Sequence, residues 1–183
     1  YTRSSDLPGA RNAFGSDIAI SGDGSKLAVQ DFADVTLGPL SGSIFTYDVS
    51  GGVATYEALV HPTNSPFLGL QDGDMAWSDD GSRLVAGLSN YEGGKVFVFD
   101  DEGATYSTYA ELSASNGEAA DSFGWSVDVS SDGSTIAIGA KDEGSATTGV
   151  SDSTVGSDNG ALGSGAVYVF EDNGTSFDED FYI

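Results

Sequence analysis

The chain has no cysteine, so no disulfide braces its fold and no thiol is available for chemistry. Basic residues are scarce: 6 Lys and Arg stand against 29 Asp and Glu, giving a formal net charge of −23. A surface of that sign repels nucleic acid and anionic membranes, so neither is expected as a partner. It suits high salt, divalent cations or simple solubility. There is one histidine, His61, followed by Pro62. With no second histidine and no thiol, cysteine-protease and zinc-hydrolase sites are not expected. A serine triad stays open, because serine and aspartate abound, but a loop histidine without a chemical role is the reading adopted. No apolar run approaches the ~18 residues that a membrane-spanning helix needs. The chain opens on Tyr1 rather than methionine, so it is expected to have been processed or to be a piece of something longer.

What is present is a repeat. Three stretches have the same plan: a β-rich run, a glycine turn, a second run, a connection, a third run, an acid-x-x-Gly turn and a fourth run. The first reads FGSDIAIS, the turn Gly22-Asp23-Gly24-Ser25, KLAVQDF, SIFTY (43–47), a turn ending at Gly51, and Val53–Val60. The second starts degenerately, with Gln71-Asp72 where Phe14-Gly15 stood, and continues through DMAWS, Asp80-Gly81-Ser82, RLVAGL, KVFVF, Gly103 and Thr105–Leu112. The third is the clearest, from Phe123 through Asp132-Gly133-Ser134, Thr135–Ala140, Ala166–Phe170, Gly174 and Ser176–Ile183. An Asp-Gly pair between apolar runs predicts a tight hairpin, and Gly103 and Gly174 are expected at positive φ. The third runs, IFTY, VFVF and VYVF, have almost no polar alternation, so they must be covered on both faces. Four strands per repeat without helical periodicity predict an all-β chain of propeller blades, each of four antiparallel strands. The units are a connector at 1–13, blade 1 at 14–60, blade 2 with its leading linker at 61–112, and blade 3 with its linker at 113–183. Three blades cannot close a ring, so further blades of the same polypeptide or neighbouring chains are expected as partners.

At these residues the chain resembles the FG-GAP-type β-propeller repeats, the group that includes the integrin α head. It is more similar to the FG-GAP-like repeats of bacterial and algal secreted proteins. Phe123-Gly124, SSDGSTIAIGA, GAVYVF (165–170) and the linker SASNGEAADSFG carry the likeness, which covers about residues 14–183. The resemblance implies a ring of about seven blades, extracellular or at the cell surface, used for adhesion or ligand binding rather than catalysis. In the integrin pattern, calcium-binding repeats carry a D-x-D-x-D-G loop between the first two strands. Here Ser21–Gly24, Ser78–Gly81 and Ser130–Gly133 hold that place, with too few oxygens for a calcium shell of six to eight ligands. They read as plain turns.

Few residues announce a site. With 29 acids, paired carboxylates suitable for a glycosidase are guaranteed somewhere and carry no signal. Trp77 and Trp125 would stack on a sugar if exposed, but blade packing is the expectation for both. Phe45, Tyr47, Phe97, Phe99, Tyr168 and Phe170 are expected in the core. Asn173-Gly174-Thr175 is the one N-x-[ST] sequon and makes Asn173 a candidate glycosylation site. Residues 141–164 form a long acidic, Gly/Ser-rich connection in blade 3. Its hard oxygen donors, Asp142, Glu143, Asp152, Asp158 and Asn159, make Ca2+ the expected cation if one binds. The functional expectation is a non-enzymatic extracellular propeller module with a structural, adhesive or assembly role. A module binding a glycan or protein ligand comes second, and a propeller enzyme third.

Overall fold

A computed structural model describes residues 13–34, 42–62, 73–90, 93–118, 120–146, 148–150 and 160–183. The expected connector, the loop at Pro39 and the degenerate start at Gln71-Asp72 lie outside those residues, apart from Ala13. The described residues form twelve strands in three four-stranded antiparallel sheets. Blade 1 is β1 (Phe14–Ile20), β2 (Lys26–Asp31), β3 (Ser43–Ser50) and β4 (Val53–Val60). Blade 2 is β5 (Met75–Trp77), β6 (Arg83–Leu88), β7 (Lys95–Asp101) and β8 (Tyr106–Leu112). Blade 3 is β9 (Phe123–Val129), β10 (Thr135–Ala140), β11 (Ala166–Asp172) and β12 (Phe177–Tyr182). Within each sheet the strands lie in sequence order, so the chain meanders outward from an inner to an outer strand. β1 packs beside β5, and β5 beside β9, which places the inner strands next to one another.

The first hairpin turn is the same device three times. Asp23, Asp80 and Asp132 each accept a hydrogen bond from a serine hydroxyl two residues before and from a serine N–H two residues after. Gly24, Gly81 and Gly133 follow at φ near +70°, a conformation glycine enters without a Cβ penalty. The turns also tie the blades together: the Asp23 N–H donates to the Asp79 carbonyl at 2.8 Å, and the Asp79 N–H to the Ser131 carbonyl at 3.0 Å. The third strands run past the expected ends at Tyr47, Phe99 and Phe170. The cause is one more main-chain bond in each blade, from Val49, Asp101 and Asp172 N–H to Ser25, Ser82 and Ser134. Gly51, Gly103 and Gly174 all have positive φ, as the turn chemistry required.

The core lies between blades rather than within them. Each blade has a leading face, toward the next blade, and a trailing face, toward the previous one. Ala19, Ala28, Ile44 and Val60 of blade 1 meet Met75, Trp77, Leu84 and Phe97 of blade 2. Val85, Val96, Val98 and Leu112 of blade 2 meet Phe123, Ile136, Ile138 and Tyr168 of blade 3. Small and aliphatic leading faces thus receive aromatic trailing faces, and each large side chain so buried contributes roughly 1.5–3 kcal/mol. Phe123, of the Phe-Gly pair, stands edge-on to Tyr168 at 5.3 Å. Glycine makes the closest approach possible, since a Cβ on Gly87 of β6 would collide with the Gly124 carbonyl of β9. Blade 2, with neighbours on both sides, has β7 buried on both faces from Val96 to Phe99, whereas β11 of blade 3 alternates. Val167 is exposed although its sequence reads as core, because no blade covers that face among the described residues.

A cation at the start of the second strand bridges each pair of blades. The Lys26 ammonium reaches Glu57 of its own blade at 2.6 Å and Asp101 of the next at 2.7 Å. The Arg83 guanidinium binds Asp100 of its own blade at 2.7 Å and Asp172 of the next at 2.8 Å, and donates to the Gly133 carbonyl. It also lies over the Tyr109 ring at 4.3 Å. Burial alone would lower the Arg83 pKa, but hydrogen bonds to Asp100 and Asp172 outweigh it and hold the pKa raised. Tyrosine hydroxyls complete each clamp, Tyr106 donating to Glu57 and Tyr109 to Asp172.

Two outcomes follow from these contacts. Arg83→Met leaves Asp100 and Asp172 facing each other without a cation across the interface. The expected cost is about 3 kcal/mol by urea denaturation, with Lys26→Met costing less because its ammonium makes fewer bonds. Asp132, held at a pKa of about 2 by hydrogen bonds from Ser130 and Ser134, has a folded pKa below its unfolded one. Its contribution is therefore present above the ordinary aspartate pKa of about 4 and is lost as pH falls toward about 2. A carboxyl NMR titration should place its midpoint near 2, and Asp132→Asn should flatten the stability profile in that window.

Candidate cleft at the inner strands

A cleft of about 480 Å³ opens where the inner strands of the three blades begin. Ser16, Asp17, Gln30 and Phe32 line it from blade 1, Gly73 and Asp74 from the entry to blade 2, and Trp125 and Ser126 from blade 3. The repeat places these side chains together. Asp17, Asp74 and Ser126 are equivalent in register, each preceding the residue (Ile18, Met75 or Val127) that pairs with Val29, Ala86 or Ile138, and Ser16, Gly73 and Trp125 are equivalent one residue earlier. Stacking the blades brings each such position beside its equivalent.

The two acids reach across blade boundaries. Asp17 accepts main-chain hydrogen bonds from Ile18 and from Met75 of the next blade. Asp74 Oδ1 accepts from Met75 N at 3.0 Å, and its Oδ2 from Val127 N of blade 3 at 3.2 Å. Burial pushes the Asp17 carboxyl above the ordinary aspartate range, against its main-chain hydrogen bonds, and the nearby Asp74 charge adds to the rise. Asp17 Oδ2 is buried without a hydrogen-bond partner, so one acceptor in the cleft wall is unmet. The Ser16 hydroxyl holds Gln30 by its Oε1 at 3.2 Å. The aromatic components are Phe32, 44% exposed, and Trp125, 46% exposed. The Lys141 ammonium lies 3.5 Å from the centroid of the Trp125 ring. The cleft thus combines aromatic surface, two carboxylates, an amide and two hydroxyls within three blades.

The two tryptophans separate here. Trp77 is 6% exposed and packs edge-on against Tyr106, the blade packing expected of it. Trp125 departs from that expectation. At its position the other blades carry Ser16 and Gly73, and an indole has no room in the closely stacked inner row, where glycine backbones touch. It turns outward instead. Period-two alternation alone could not reveal this; comparing position against position across the repeats does. Asp17 and Asp74 were missed for another reason: among 29 acids, only blade stacking singles them out.

The acidic connection in blade 3 has a structural member. Glu143 is 1% exposed; its Oε1 accepts from Asn116 Nδ2, and its Oε2 from Ser145 N and the Tyr182 hydroxyl. Tyr168 donates to Asn116 Oδ1, so Glu143 and Tyr168 pin the linker that leads into the blade. Asp142 is exposed and accepts from the Ser122 hydroxyl. Asp152, Asp158 and Asn159 lie outside the described residues. Among the described residues no group of three His, Asp or Glu side chains is disposed to hold a metal ion. Asn173 is exposed in its turn, where its Nδ2 donates to Ser176 and Asp178. His61 Nδ1 lies 3.2 Å from the Pro62 carbonyl.

Residues 106–170 match the FG-GAP repeat family. Among proteins of curated function, none has a sequence that matches this chain. The fold is similar to that of a hypothetical selenium-binding protein from Sulfolobus tokodaii, with a TM-score of 0.56 at 11% identity, covering 91% of this chain and 40% of that one. It is also similar to a candidate 6-phosphogluconolactonase from Bacteroides uniformis, with a TM-score of 0.55 at 11% identity, covering 88% of this chain and 38% of that one. The β-propeller domain of the Trilobed protease from Pyrococcus furiosus aligns at a TM-score of 0.47 and 13% identity, over 93% of this chain and 42% of that one. The chain thus spans about two fifths of the length of these structures. At such identities the first two show the fold alone. With its three stacked four-stranded sheets and a family match that runs from β8 of blade 2 into β11 of blade 3, this chain is a partial β-propeller whose residues 106–170 match the FG-GAP repeat.

Proposed function

We propose that this chain is a non-enzymatic, extracellular propeller module that binds a neutral carbohydrate in the cleft at its inner strands. The observation that carries the reading is Trp125, an indole nearly half exposed beside Asp17, Asp74, Gln30 and Ser126. Sugars present apolar C–H faces and rims of hydroxyls, and a flat aromatic with nearby acceptors meets both. Asp17 lines the same cleft, and a carboxylate is an acceptor of the kind a sugar hydroxyl meets. A net charge of −23 disfavours sulfated or uronic glycans, which leaves neutral ones. A binding rather than hydrolytic role is favoured because Asp74 has both carboxylate oxygens engaged by main-chain N–H groups. An extracellular setting fits the FG-GAP repeat, and an adhesive or structural role would follow from glycan binding on one face of a larger ring.

The test is a titration of intrinsic fluorescence with cellohexaose, laminarihexaose and mannohexaose. Trp77 is buried, so a change reports on Trp125. At least one sugar should give a saturable change that Trp125→Ala abolishes while the melting midpoint stays within about 2 °C of the parent. Asp17→Asn should weaken the same binding by roughly three- to tenfold, the effect of one hydrogen bond. If none of the sugars gives a saturable change, the carbohydrate reading is overturned and the purely structural role takes its place.

A further inference from the structure

The clamp that joins the blades breaks its own pattern at the outer face of blade 3. In register, Lys26, Arg83 and Thr135 are equivalent, each opening the second strand and facing the third strand at Asp48, Asp100 and Glu171. Glu57, Tyr109 and Asp180 are equivalent too, each the extra residue at a bulge in the outer strand. In the two interfaces between blades, the bulge residue lies against the cation: Glu57 binds Lys26, and Tyr109 lies beneath Arg83. Blade 3 therefore presents Glu171 and Asp180 at the rim of its leading face, with an uncharged threonine where the cation belongs. The third and fourth strands add an apolar surface, with Val167, Phe181 and Ile183 40%, 42% and 52% exposed; Val167 and Ile183 stand where the other blades bury Ile44 and Val96, and Val60 and Leu112, while exposed Asp128 on the inner strand adds a further carboxylate to the same face. The cations of the described residues are engaged elsewhere, Lys26 and Arg83 in the clamps, Lys95 with Glu111 and Lys141 on Trp125.

We propose that the leading face of blade 3 docks a blade of inverted rim charge, one that brings its own lysine or arginine to Glu171 and Asp180. In blades 2 and 3 the trailing rim carries an acid, Asp101 or Asp172, and receives the neighbour's cation. On blade 3's leading face those roles exchange. The apolar centre of the interface continues the two already present, with aromatic side chains of the partner seated on Val167, Phe181 and Ile183. Blade 1 of a second copy does not satisfy this face as it stands, because its trailing rim has Val49 where Asp101 and Asp172 stand. The main-chain bond from Val49 to Ser25, matching those of Asp101 and Asp172, fixes that equivalence. Such a charge rule chooses the neighbour: two acids buried without a cation would oppose a wrong blade, and a basic residue removes the penalty.

The chain itself serves as the probe. Val49→Arg places the missing cation on the trailing face of blade 1, where a second copy can offer it to blade 3. Sedimentation velocity should show head-to-tail association at least tenfold tighter than for the parent, weakening as salt rises from 50 to 500 mM. Adding Asp180→Asn and Glu171→Gln should cancel the gain. Val49→Asp, which restores the acid of the other blades, should give no tightening. The proposal is overturned if Val49→Arg leaves association unchanged, or if the gain survives loss of both acids. Parent chain that already associates as tightly as the variant overturns it equally, since a copy without a cation would then suffice.

Discussion

Everything in this protein depends on burying sheet faces between blades. A four-stranded meander is one layer thick, and both faces of the middle blade are apolar; outside the two clusters between blades, Phe45 is buried against Phe14 and Tyr56 of its own blade. Stability is therefore a nearest-neighbour property, as in other repeat arrays, where each unit is held by the surfaces it shares. The cation clamps follow from this. In a chain with 29 acids and 6 bases, stacked acidic rims would repel one another. Lys26 and Arg83 sit where two carboxylates from adjacent blades converge, and convert the repulsion into attraction. Placing two of six basic residues at equivalent clamp positions gives them more structural weight than a surface charge carries.

The same stacking builds the cleft. Successive inner strands present equivalent positions side by side, so one substitution per blade is enough to compose a site from Asp17, Asp74 and Trp125. Rigid sheets hold these side chains, and the turn network behind them fixes their spacing through main-chain bonds from blade to blade. A propeller can thus vary the chemistry of its axis while its core is kept constant, because the residues that vary are not the ones that pack. Blade 3 departs from the repeat at both the axis and its outer face: Trp125 replaces Ser16 and Gly73, and Thr135 replaces Lys26 and Arg83.

Much of the architecture was legible in the sequence for a physical reason. Turns with glycine at positive φ are local, so Gly24, Gly81, Gly133, Gly103 and Gly174 declare themselves without any tertiary information. Strand positions follow from apolar runs between those turns. What the runs do not disclose is which face has a neighbour. Val167 reads as core and lies exposed, since burial in an array is decided by the adjoining blade. Trp125 was read as packing because an indole on a strand usually packs; its position in the innermost row is a property of the stack. An acidic loop advertises hard oxygens, so Glu143 counts in the sequence among the donors a calcium ion would use if one binds. The sequence could not reveal that Tyr182 and Asn116 would converge on it from 39 and 27 residues away.

The central claim is that stability resides in the interfaces between blades. Native-state hydrogen exchange, read amide by amide, tests it most directly. β6 and β7 of blade 2, covered on both sides, should exchange slowest, while β1 and β12, each with an uncovered face, should open at much lower free energy. Uniform protection across the three blades, or slowest exchange in blade 3, would contradict the account and place the stabilising energy within the sheets.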